Sequence, residues 1–123
     1  MSHSFQTISP IDNSVYVERE YASSEAIENA LNKAVEAQRS WKNTAISERK
    51  SIANRAIDIL VERKEELARE ITWQMGRPIR YAAGEVAGLE ERARKMIVLA
   101  EQGLTPIKLE QKSGFERWIQ REP

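Results

Sequence analysis

Thr72-Trp73-Gln74-Met75-Gly76-Arg77-Pro78-Ile79 is the stretch that organises this chain. An apolar stripe at helical spacing, Leu67, Ala68, Ile71 and Met75, runs into it from the N-terminal side. Gly76 offers the left-handed conformation that closes a helix without a Cβ clash. Pro78 can open the next helix, because it has no amide hydrogen to lose there. The spacing predicts two helices joined by a tight reversal.

Reading outward on the C-terminal side, the pattern predicts a helix from about Ile79 to Gln102, ended by Gly103. Ala82, Ala83, Val86, Leu89, Ala93, Met96, Ile97 and Ala100 trace its buried side. Glu90 with Arg94 and Glu91 with Lys95 sit four apart on the outside, in the favourable order. From Thr105 the period falls to two, and Lys112-Ser113-Gly114 reads as a turn between strands at Ile107–Gln111 and Phe115–Glu122.

On the N-terminal side, Ile46-Ser47-Glu48 opens a helix whose stripe is Ile52, Ala53, Ala56, Ile57 and Leu60, with a bend near Arg63-Lys64. Before it, Ser23 and Ser24 are candidate N-caps for a helix carrying Ile27, Leu31, Ala34, Val35, Gln38 and Trp41, widened by Ala30 and Ala37. Phe5 to Tyr21 reads as strand, turn, strand: Val15 and Val17 alternate with polar neighbours, and Pro10 to Ser14 supplies the turn. The chain is thus mostly helical, with a β-hairpin at each end. Two bare strands at a terminus and three apolar helix sides point to a piece of something larger, whose isolated form exposes an association-prone surface.

The composition narrows the function. Lysine plus arginine equals aspartate plus glutamate at 19 each in 123 residues, so no basic field draws nucleic acid. Cysteine is absent, which removes disulfides, thiolate chemistry and sulfur-based zinc sites from this chain. No secretory leader and no apolar run of membrane length occur, and the expected address is cytoplasmic.

A search for chemistry yields bland readings. His3 could be a base or ligand, but reads as a terminal residue without carboxylate neighbours. Glu62, Glu65, Glu66 and Glu70 could pair as carboxylates, but interleave with Arg63, Lys64 and Arg69 as a solvated helix face does. Gly84 and Gly88 suggest a close backbone approach; no phosphate-binding glycine motif occurs. Trp41 reads as core, while Trp73 and Trp118 suit a helix or subunit contact. No catalytic, cofactor-binding or metal-binding residue emerges.

Taken together and in order, these segments resemble the N-terminal portion of the NAD(P)-dependent aldehyde dehydrogenases. Ser9-Pro10-Ile11-Asp12-Asn13-Ser14-Val15 is similar to the family's opening turn, N-P-A-T-G-E-V. Ser47-Glu48-Arg49 opens its helix as the family's S-E-R does. Thr72 to Ile79 resembles the E-x-G-K-P segment, with Gln74 and Arg77 in place of the common Glu and Lys, and Arg121-Glu122-Pro123 matches the start of R-x-P-x-G-V. Ile27-Glu28-Asn29-Ala30-Leu31 through Trp41 resembles the first helix, and parts of the chain are similar to succinate-semialdehyde-type members.

The resemblance implies an α/β parent fold. Residues 1–104 would be the front of the cofactor-binding domain, and 105–123 the start of the oligomerisation strands. The parent would use NAD or NADP and assemble as a homo-oligomer through strands near 105–122. The family's catalytic cysteine, oxyanion donors and water-activating glutamate lie beyond this stretch, so the chain is expected to be inactive by itself. A different reading is a self-standing helical interaction module.

Overall fold

A computed structural model describes residues 4–121. His3, Glu122 and Pro123 lie outside the described residues. In chain order the elements are β1 (Ser4–Ile8), β2 (Val15–Glu20), α1 (Ser24–Trp41), α2 (Ile46–Glu62), α3 (Lys64–Met75), α4 (Ile79–Leu104), β3 (Ile107–Lys108) and β4 (Trp118–Ile119). The strands form two separate antiparallel pairs, β1–β2 and β3–β4.

The first hairpin is built around Ser9, which has no exposed surface. Its amide donates to the Ser14 carbonyl at 2.8 Å, and its carbonyl accepts from the Asn13 amide at 2.9 Å. Asn13 takes a positive φ of 61°, which asparagine tolerates. Asp12 Oδ1 accepts from both the amide and hydroxyl of Ser14, at 3.0 and 2.7 Å. The hydroxyl bond is the larger cause holding the Asp12 carboxyl below its ordinary range. On the strands, the Ser4 hydroxyl and the Gln6 amide donate to Glu18 and lower its carboxyl in the same way.

Ser23 caps α1, its side chain accepting from the Ala26 amide at 3.1 Å. The bend between α2 and α3 falls at Arg63, whose guanidinium returns to Glu66 one turn on. Gly76 closes α3 at φ 74°, as its position between two helical stripes requires. Pro78 is the residue before α4, and its free carbonyl accepts from the amides of Tyr81 and Ala82.

The reversal lays α4 back along α2 and α3, and the described core sits where they meet. Its buried apolar members are Ile57, Ala68, Ala82 and Val86. Arg94 ties the layer together, donating to Glu90 at 2.9 Å within α4 and to Asp58 and Asn54 of α2 at 2.6 and 3.3 Å. Lys50 at the start of α2 reaches Glu101 near the end of α4 at 3.3 Å.

Several expectations need correction. The helix does not stop at Gly103; it continues to Leu104, and Gly103 does not take positive φ. Thr105 instead turns the chain into extended backbone, its hydroxyl bonding the Glu101 carbonyl at 2.6 Å. Among the described residues, Gly84 and Gly88 mark no close backbone approach: a methyl at Gly84 would meet nothing within 4 Å, and one at Gly88 only the tip of Arg92. Ala56, Leu89 and Met96 were expected to be buried and are exposed, Met96 to 68%. Trp41 is 40% exposed rather than core. The terminal strands contract to two residues each; beyond them the hairpin is held by the Leu109 amide donating to the Arg117 carbonyl at 3.0 Å and by the Lys112–Phe115 bridge.

Ala82 sits fully enclosed, while Met96 on the same helix faces outward. Ala82→Leu is expected to lower unfolding free energy by about 1–3 kcal/mol through overpacking. Met96→Gln should change it by less than about 0.5 kcal/mol. Urea unfolding followed by helical circular dichroism checks the contrast.

Candidate functional site

The most elaborated locus is the junction where the first hairpin meets α3 and the α3–α4 reversal. The β1–β2 register pairs Thr7 with Val17 but Ile8 with Val15, leaving Tyr16 as an extra residue. A bulge of this kind bends a strand and re-aims a side chain. The Tyr16 hydroxyl donates to Glu70 of α3 at 2.7 Å, and its ring stacks on Trp73 with centroids 6.1 Å apart. Glu70 also accepts from Gln74 at 2.8 Å. With Glu70 as its acceptor, the Tyr16 phenol is held above its ordinary value.

The same junction explains the glycine more fully than helix capping does. A Cβ on Gly76 would lie 2.9 Å from Pro10 Cγ of the hairpin turn. Gly76 therefore ends α3 and lets the turn approach. Across the reversal, Arg77 Nε pairs with Glu85 at 2.9 Å. Glu70 departs from the solvated-face reading of the acidic run, because it is half-buried and anchors the hairpin. Glu62, Glu65 and Glu66 stay exposed. Trp73 packs on Tyr16 of strand β2, not on a helix as expected.

A second locus is the β3–β4 hairpin. Ile107, Leu109, Phe115, Trp118 and Ile119 are all exposed. A shallow depression of about 300 Å³ is lined by Pro106, Lys108, Leu109, Gln111, Glu116, Arg117 and Trp118. Arg117 donates to the Glu110 carbonyl at 2.7 Å, so its charge is partly engaged by backbone. The surface is apolar with charges of both signs, Lys108, Glu116 and Arg117, at its edges, which suits association.

The third locus is α1, every residue of which is exposed. Its apolar stripe, with Ile27 at 50% and Leu31 and Val35 each at 56%, lies open.

Among the described residues, no group of three or more histidines, aspartates or glutamates could hold a metal. No helix of the described residues is long and apolar enough to cross a membrane. Among the described residues, β2 enters α1 through Tyr21-Ala22-Ser23, without a glycine-rich turn. Sequence reading gave Tyr16 no role and took Glu70 for part of a solvated face; it paired Arg94 with Glu90, as found, but not with Asp58 and Asn54 of α2.

This helical layer with edge hairpins is part of a larger α/β fold. It superposes with a TM-score of 0.83 on the structure of succinic semialdehyde dehydrogenase from Streptococcus pyogenes in complex with NADP+, at 25% identity. The match covers 93% of this chain and 25% of that one. The chain belongs to the aldehyde dehydrogenase family, whose pattern matches residues 1–123. It is 35% identical over 83 residues to the succinate-semialdehyde dehydrogenase [NADP(+)] of Deinococcus radiodurans, spanning 68% of this chain and 17% of that protein. Identity reaches 44% over 66 residues with succinate-semialdehyde dehydrogenase of Paenarthrobacter nicotinovorans, 54% of this chain and 15% of that one. The chain thus spans less than a fifth of the length of either of these relatives.

Two outcomes test the junction. Gly76→Ala should destabilise by at least about 1–2 kcal/mol, from left-handed strain plus the Pro10 contact, read as a lower urea midpoint. Tyr16 has a raised pKa, so its contribution is present below the ordinary phenol value and is lost as pH rises through the raised one. Hydrogen-exchange protection of β2 should therefore fall at strongly alkaline pH, and Tyr16→Phe should remove that pH dependence.

Proposed function

We propose that this chain is the N-terminal part of an NAD(P)-dependent aldehyde dehydrogenase whose whole form oxidises an aldehyde to a carboxylic acid. The observation that carries this is the family match over residues 1–123, set against the 15–17% of each relative that the chain spans. Residues 1–104 are then the front of the cofactor-binding domain, and 105–123 the first oligomerisation strands. The names of both relatives favour succinate semialdehyde as the parent's substrate class. The parent is a cytoplasmic homo-oligomer, and the exposed Ile107, Leu109, Trp118 and Ile119 supply part of its subunit contact.

The division of labour follows from the residues. The chemistry needs a thiolate that attacks the aldehyde carbon, donors that hold the resulting oxyanion, and a bound nicotinamide that accepts hydride. This chain has no cysteine. Its own part is structural: the Gly76 reversal and the Tyr16–Glu70 bond fix the hairpin and the α2–α4 layer at the edge of the domain.

The 123-residue chain incubated with NAD+ or NADP+ and succinate semialdehyde is expected to form no reduced nicotinamide. Turnover by the pure chain would end the reading. Coding sequence that continues past Pro123 into a glycine-valine strand and a P-W-N segment would support it.

A further inference from the structure

We draw no further inference here: the strongest candidate, the guanidinium of Arg49 in the first turn of α2, buries its Nε without a hydrogen-bond partner among the described residues, but it is a single side chain and nothing in the structure shows what covers it.

Discussion

The fold turns on one left-handed residue. Gly76 reverses the chain between α3 and α4 and leaves room for Pro10, so a single backbone position sets both the helix layer and the seat of the hairpin. From that reversal the rest follows. α4 runs back over α3 and α2, Ala68 and Ala82 admit close approach, and Ile57 and Val86 fill what remains. Arg94 and Lys50 then clip α4 to α2 at two heights. An L-residue at position 76 would strain the cap and push against the turn together, coupling two elements far apart in sequence.

Those parts of the fold governed by local rules were legible beforehand. The Ser23 cap, the bend at Arg63, the Gly76 closure and the Gly114 turn each rest on the chemistry of one residue in its immediate setting. Parts governed by what packs opposite were not legible. Met96 and Leu89 lie in an apolar pattern, yet α4 is long and α2 and α3 cover only one strip of it. Gly84 and Gly88 had the spacing of a close contact, but no backbone approaches them among the described residues. The same limit hid Tyr16. A bulge arises from pairing register, and the alternation of Val15, Tyr16 and Val17 carries no mark of it.

The reading of function had a similar boundary. The absence of cysteine and of a phosphate-binding glycine motif could be read directly, and both removed chemistry from this chain. Family membership came from several modest segments in a fixed order, and the match over residues 1–123 agrees with it. The three-dimensional loci add what the segments could not show. The junction of hairpin and α3 is an internally satisfied fastening, while α1 and the β3–β4 hairpin present apolar side chains outward.

That contrast bears on how the chain behaves by itself. Ordering a residue costs about 1–2 kcal/mol of backbone entropy, and burial of a large apolar side chain returns about 1.5–3 kcal/mol. Within α2 to α4 the exchange is supported by four buried apolar residues, the Arg94 network and half-buried neighbours such as Ile52, Leu60 and Ile71. Along α1 less is returned, because every residue of the helix is exposed, Trp41 the least so at 40%. An isolated helix of this length is marginal in water. The Ser23 cap and the Glu36–Arg39 pair supply only small local support. α1 is therefore the element whose order depends most on a covering surface, and whatever covers it must meet the broad apolar face of Ile27, Leu31, Ala34, Val35 and Trp41.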